Sequence, residues 1–280
     1  MPRNSYKYNK ELFENFKIDC EKCFGFCCVA LYFSASEGFP TDKVAGKPCI
    51  NLKSDFTCSV HKDLRKQGLK GCTAYDCFGA GQKVAQLTYK GKSWKDSPKL
   101  AKQMFDVFLV MRQLHEMLWY LTEASMLEPA YNIKEEINLM IKETEEITNS
   151  DPQYLIDLDI VAHRDKVNIL LRQTSELVKK KFNSKDQKAL SIGVNLIGKN
   201  LKKTNLIGAD LRGALLIAAD LSGNDLSGAN LIGADMRDTD IRGANLKNSI
   251  FLTQSQINTA KGDNNTKLPD SIVRPTYWEK

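Results

Sequence analysis

The residues able to do chemistry are crowded into one stretch: Cys20-x2-Cys23-x3-Cys27-Cys28, then Cys49-x8-Cys58, then Cys72-x4-Cys77, with His61 three residues after Cys58. Close cysteine pairs matter because two thiolates on one tight turn can reach a single ion at about 2.3 Å from each sulfur. Eight thiols suit two tetrahedral zinc sites, a binuclear site, or an iron–sulfur cluster with spare ligands. A disulfide scaffold is the competing reading, but disulfides belong to exported chains. The opening MPRNSYKYNKELFENFK is polar and charged where an export signal needs an apolar stretch. Ordinary buried cysteine is a poor account of a set that begins at Cys20 and ends at Cys77 in a chain of 280 residues. The expected ligands are therefore Cys20, Cys23, Cys27, Cys28, Cys49, Cys58, Cys72 and Cys77, with His61 optional, and the expected cofactor is zinc or iron, the latter including an iron–sulfur cluster.

Other polar groupings carry less. Gly79-Ala-Gly81-Gln-Lys83 lacks the two-glycine frame and the Ser/Thr of a phosphate-binding loop, and reads as a turn closing the cysteine module. Asp159 and His163 stand four apart, a spacing at which helical side chains meet, but surface pairing or a helix cap explains them equally well. His115 lies on an apolar helix face and reads as a packed histidine. No Ser-His-Asp signature, nucleophile elbow or dinucleotide fingerprint is present. The sequence fixes no reaction, and no catalytic residue is assigned.

Three zones must position these residues: a cysteine module over 1–95, a helical connector over 96–189, and a repeat region over 190–280. The first is punctuated by glycines from Gly25 to Gly91. The second opens at Ser97-Pro98, a cap followed by Pro at the first helical position. Apolar residues then recur at Met104, Phe108, Met111, Leu114, Leu118 and Leu121, the spacing of one helix face. Ile133, Ile137, Met140, Ile141 and Ile147 mark a second helix. Asp151-Pro152 starts a third, expected to run unbroken through Leu155, Leu158, Val161 and Val167 to Lys179-Lys180-Lys181, whose lysines suit the negative end of the helix dipole. A three-helix packing unit is the expected result.

The third zone repeats every five residues. From Leu196 through Leu201, Leu206 and onward to Leu246 and Phe251, the large apolar residue never leaves its register, and Asn or Asp precedes it in ten of twelve repeats. Small residues such as Ala209, Ala214, Ala219 and Ala229 stand two positions before it. Neither helix nor strand has a period of five, so a repeat architecture follows. In an extended segment, residues two apart point the same way, and Asn, Asp and Gly supply the corners. The tract resembles the pentapeptide-repeat family, with its A-(D/N)-L-x-x consensus. That resemblance implies a right-handed quadrilateral β-helix with four pentapeptides per coil. The expected fold class is thus mixed: a small cysteine-rich metal module, a helical connector and a C-terminal solenoid. Ile197 and Ile217 should stack beside Leu215 as an apolar patch, expected to dock the helical zone in preference to a second subunit. The tail from Thr253 is a candidate cap for the solenoid's open end.

The cysteine segment has its own resemblance. Cys20-Glu-Lys-Cys23-Phe-Gly-Phe-Cys27-Cys28, with Cys49-Ile-Asn-Leu, Cys58-Ser-Val-His61 and Gly71-Cys72, is similar to the CxxCxxCC family of zinc- or iron-chelating proteins. Some members of that family are flagellin lysine methylases that resemble iron–sulfur enzymes. Here the segment continues into Cys77-Phe-Gly-Ala-Gly-Gln-Lys83 in place of the family's arginine-proline segment. The chain as a whole resembles an uncharacterised bacterial group that pairs this cluster with terminal pentapeptide repeats. The shared elements are Gly71-Cys72-Thr-Ala-Tyr-Asp-Cys77 and the tail Arg274-Pro-Thr-Tyr-Trp278.

Charge narrows the function. Residues 1–95 carry 16 basic and 9 acidic side chains, an excess that thiolates on a metal would offset. The basic residues are scattered, which argues against nucleic acid. No apolar run is long enough to span a membrane, and the expected location is the cytoplasm. Pentapeptide proteins that protect topoisomerases are acidic DNA mimics, yet residues 191–252 hold 6 Asp and 7 Lys/Arg. The favoured expectation is a non-enzymatic metal-binding interaction scaffold with a protein partner, homodimerisation through a solenoid end being one form. The alternative is an iron–sulfur or zinc enzyme that modifies a protein substrate.

Overall fold

A computed structural model describes residues 9–182 and 195–278; the expected boundary at 189–190 lies outside them. The described residues divide into two compact units, one comprising 9–122 with 135–169 and the other comprising 123–134 with 170–182 and 195–278.

In the first unit the cysteine-rich stretch is built from short turns. Among the described residues its one α-helix before residue 70 is α1, Phe26–Ala30. A 3-10 turn over Pro98–Leu100 leads into α2, Ala101–Met126, whose stripe Met104, Phe108, Met111, Leu114, Leu118 and Leu121 is buried as the spacing implies, while Leu109 is exposed. The cysteine stretch packs on α2: Phe26 stacks on Phe108 with ring centroids 5.3 Å apart, and Arg112 Nε donates to the Asp76 carbonyl at 3.1 Å. His115 is buried, with Nδ1 2.7 Å from the Phe78 carbonyl. A carbonyl only accepts, so Nδ1 carries the proton.

Helix α3, Lys134–Thr148, is followed by α4, Pro152–Asp157, and α5, Ile160–Phe182. The third expected helix is therefore two. Asp151 caps α4, accepting from Gln153 N at 2.9 Å, but Leu158 is extended. Asp159 then accepts from Ala162 N at 3.0 Å and restarts the chain as α5. Thr144 Oγ1 lies 2.9 Å from His163 Nε2, joining α3 to α5, and Arg164 bonds Gln113, joining α5 to α2. Asp159 and His163 thus serve a cap and a helix contact rather than a joint site.

In the second unit, all twelve central residues from Leu196 to Phe251 are buried, and the eleven from Leu196 to Leu246 form one continuous core, which Leu252 joins in place of Phe251. The Asn or Asp before each has a definite task. In all ten such repeats, from Asn195 to Asn245, the side-chain oxygen accepts the backbone N–H two residues on. This is the Asx turn, which bends the chain at each corner. Coils stack through single-residue parallel bridges twenty residues apart, such as Asn195↔Leu215, Asp210↔Asn230 and Asp220↔Asp240. Among the described residues no strand is longer than such a bridge, because each five-residue side leaves room for only one. At two of the positions where Ala is replaced, the substitute serves a buried carbonyl: Asn224 Nδ2 donates to Leu201 O at 2.9 Å and Thr239 Oγ1 to Leu216 O at 2.8 Å.

The rear of α5 lies on this solenoid. Asn230 Nδ2 is 3.1 Å from Ser175 Oγ, and the Phe182 ring approaches Gly228 so closely that a Cβ there would meet it at 2.6 Å. The helix does not cover the patch expected to receive it: Ile197 and Leu215 remain exposed. Glycine at 228 is what admits the aromatic ring, so the docking face is chosen by space rather than by the apolar pair. After Phe251, the helix α6, Gln254–Thr259, closes the end. Its Gln256 Nε2 donates to the carbonyls of Leu231 at 2.8 Å and Ala234 at 2.9 Å, while Ile257, Ile272 and Trp278 join the solenoid core.

Candidate metal centre

Backbone turns bring the cysteines together. Asp19 Oδ1 accepts from Glu21 N at 3.1 Å and starts the turn that carries Cys20, and Cys23 N bonds Cys20 O at 3.3 Å. Gly25 sits at φ +65 before α1, where a side chain would strike Leu52 Cδ1 at 2.6 Å. Helix α1 then presents Cys27 and Cys28. Cys49 N donates to Cys28 O at 2.9 Å, and an antiparallel bridge joins Leu52 to Cys58. Cys72 lies on the short helical turn Lys70–Thr73. Cys77 precedes the Gly79 turn, and Ala80 N bonds Cys77 O at 2.9 Å. The Gly79–Lys83 segment is thus the closing turn of this module, and Gly81 faces Cys23, whose Sγ would lie 2.4 Å from a Cβ at that position.

All eight cysteines and His61 line one cavity of about 90 Å³. Its remaining wall is largely apolar, with Phe33, Phe39 and Leu69 forming a small buried cluster against which Cys49 and Cys72 pack. All eight are free thiols. Among the described residues no three His, Cys, Asp or Glu side chains converge as a finished metal cage; Cys28 instead makes thiol–thiol hydrogen bonds with Cys27 and Cys58.

Burial raises the thiol pKa values. Cys23 is pushed up to about 12 by loss of solvent first, with Cys77 and Cys20 adding. Cys72 rises to about 12 by burial and then by Cys49 and Cys58, and Cys77 to about 11 by burial and Asp76. Opposing this, backbone N–H groups point at sulfur: Asn51 N lies 3.4 Å from Cys49 Sγ, and Gly79 and Gly81 donate to Cys77. Such donors stabilise thiolate on a metal or cluster.

Two residues with no warning in the cysteine spacing complete the site. Lys43 is buried, its Nζ donating to Val29 O at 2.7 Å and also to Leu31 O. Burial lowers its pKa, and Cys49, Cys28, Cys27 and Cys72, where ionised as thiolates, would oppose that and favour its charge. The Tyr75 side chain lines the cavity, and its hydroxyl is buried with no hydrogen-bond partner among the described residues. An unmade bond on a buried hydroxyl is costly, and an acceptor within the cavity would satisfy it. A sulfur-rich donor set, aimed N–H groups, a buried cation and an unpartnered hydroxyl fit zinc or an iron–sulfur cluster by their chemistry.

Comparison with known proteins places the solenoid first. Residues 192–223 and 214–251 match the pentapeptide repeats family in eight copies, and the chain is a pentapeptide-repeat protein over that segment. Over nearly its full length it is 58% identical to the uncharacterized protein YybG of Bacillus subtilis (strain 168), across 262 residues covering 93% of this chain and 94% of that one. The chain belongs to the same family as that protein. No solved structure matches it. Among the described residues no helix is long and apolar enough to cross a membrane.

Proposed function

We propose that the chain is a cytoplasmic, non-enzymatic metal-binding scaffold: the cysteine unit folds around zinc or iron, and the solenoid offers a rigid face to a protein partner. The observation that carries this is the gathering of all eight cysteines, distant in sequence, around one cavity beside a buried lysine. When bound, the metal would supply charge neutralisation and cross-linking to a stretch with little regular structure. Cys20, Cys23, Cys27, Cys28, Cys49, Cys58, Cys72 and Cys77 would hold it, with His61 at the rim as an optional ligand. The solenoid, proposed as a right-handed four-sided β-helix, leaves Ile197 and Leu215 exposed as an apolar contact surface.

One observation favours a second reading, an iron–sulfur or zinc enzyme acting on a protein. A cavity of about 90 Å³ exceeds the roughly 10–15 Å³ that one water-sized guest needs, which suits a multi-atom cluster better than a closed ion site. Topoisomerase protection by DNA mimicry gains no support. The solenoid's acidic residues are offset internally, Arg237 Nη2 lying 2.6 Å from Asp235 Oδ2 and Arg212 and Arg242 pairing in the same way with Asp210 and Asp240.

Metal analysis with an absorption spectrum, on protein purified without oxygen, tests the proposal. Stoichiometric zinc without colour supports the scaffold. Iron with acid-labile sulfide and a band near ~400 nm moves the enzyme reading ahead. Absence of both metals overturns the proposal.

A further inference from the structure

The eight thiols are not evenly distributed around their cavity. One group gathers where the Cys20 turn meets the Gly79 turn. Cys20 and Cys23 share one 3-10 turn, and Gly81, which follows Cys77 closely and donates to its sulfur, also packs on Cys23 Sγ. The electrostatic neighbours of the Cys27 thiol, beyond its sequence neighbour Cys28, are Cys23, Cys77 and Cys20. A second group gathers on the other side of α1. The Cys49 amide bonds the Cys28 carbonyl at 2.9 Å, Cys49 and Cys72 pack against one aromatic cluster, and Cys58 contacts Cys28 sulfur to sulfur.

Helix geometry explains the division. Adjacent residues on an α-helix diverge by roughly 100°, so Cys27 and Cys28 cannot both face the same centre squarely. The polar residues lean to different groups: Tyr75 has Cys77 and Cys27 as its thiol neighbours, whereas Lys43 has Cys49 and Cys28 first, then Cys27 and Cys72.

We infer that the cysteines form two separate four-thiolate sites, Cys20/Cys23/Cys27/Cys77 and Cys28/Cys49/Cys58/Cys72, set back to back across the Cys27–Cys28 peptide. The partition rests on the metal-binding reading above. Four sulfurs complete a tetrahedral ion, so His61 is outside both sites. The two are chemically unequal. The second has the buried Lys43 ammonium, with Cys49 and Cys28 first among its thiol neighbours, while the first has the Tyr75 hydroxyl, whose ring lies 5.7 Å from the Arg112 guanidinium.

The test uses zinc on the full-length reduced protein, without oxygen. The parent should bind two equivalents. Cys23→Ser and Cys72→Ser should each bind one; Cys23→Ser with Cys77→Ser should still bind one; Cys23→Ser with Cys72→Ser should bind none. Loss of all zinc in either single variant, or in the Cys23/Cys77 pair, overturns the partition in favour of one shared site. An alkylation map of the parent at one zinc equivalent needs no variant to fold. Protection should fall on the four cysteines of one set, and protection spread over both sets overturns the inference. A parent that binds no zinc and no iron overturns the metal reading itself, a result distinct from a parent that binds metal with mixed protection. Lys43→Met should weaken one of the two zinc equivalents by about tenfold or more and leave the other unchanged; equal weakening of both contradicts the unequal charge of the sites.

Discussion

The solenoid and the cysteine unit solve the same problem, holding turns together, in opposite ways. In the solenoid each corner is a local device repeated: Asn or Asp bonds the amide two residues on, a large apolar residue points inward, and the next coil repeats it twenty residues later. In the cysteine unit no rule repeats. Its turns are individual, and beside one small buried cluster, Phe33, Phe39 and Leu69, they leave a cavity lined by thiols. The first architecture carries its stability in every repeat; in the second, on the proposal above, metal held by the thiols would supply it.

Substitutions can break or sharpen this contrast. The largest expected effect is on the solenoid core: Leu226 is fully buried, and Leu226→Ala should cost about 2–5 kcal/mol. The three tryptophans divide usefully, Trp94 and Trp119 in the first unit and Trp278 in the second. The loss should appear in the denaturant midpoint followed through Trp278, in a variant lacking the other two. An equal shift through Trp94 and Trp119 would show the two units unfolding as one.

Acid should act on the other unit. Burial depresses His115 from the ordinary histidine value of 6.5 to about 4. The unfolded chain therefore takes up a proton at a higher pH than the folded one. The neutral form's contribution is fully present above pH 6.5 and is lost as pH falls from there toward 4, by roughly 3 kcal/mol in all. Urea midpoints through Trp94 and Trp119 should fall over that window in the parent and fall less in His115→Leu. An imidazole that titrates near 6.5 by NMR would contradict the buried, neutral assignment.

Gly228 and Gly223 share φ near +72, but only at Gly228 would a Cβ meet Phe182. Gly223→Ala should cost only the left-handed backbone penalty, about 1 kcal/mol, and Ala218 already occupies such a corner at φ 54. Gly228→Ala should cost clearly more, and equal costs would mean that the helix–solenoid contact contributes nothing. Smallest of all, Asn205→Ala removes one exposed corner bond to Ile207 N and should cost about 0.5–1.5 kcal/mol in thermal or chemical unfolding.

The same contrast governs what could be read before the structure. A rule of period five is local, so the register of the eleven core residues from Leu196 to Leu246 is visible in the chain, and it ends where Leu252 rather than Phe251 joins the core. The corner role of Asn and Asp follows from the same regularity, and Trp278 and Gln256 at the closing end are reached only through the fold. The cysteines are visible as a set because of their residue type. Their arrangement depends on contacts between residues far apart in sequence, such as Cys28 with Cys49 and Cys23 with Gly81. Lys43 and Tyr75 are common surface types, and only burial marks them. The break at Leu158 is hidden in the sequence because the apolar spacing continues through it; Asp159, a capping residue type beside an apolar run, is its only local signal.

The most direct test of the metal-dependent cysteine unit is chelation followed through the separate tryptophans. After removal of bound metal under reducing conditions, the transition reported by Trp94 and Trp119 should drop sharply or vanish, while that of Trp278 stays where it was. Unchanged transitions in both units, with the metal demonstrably gone, would contradict the account.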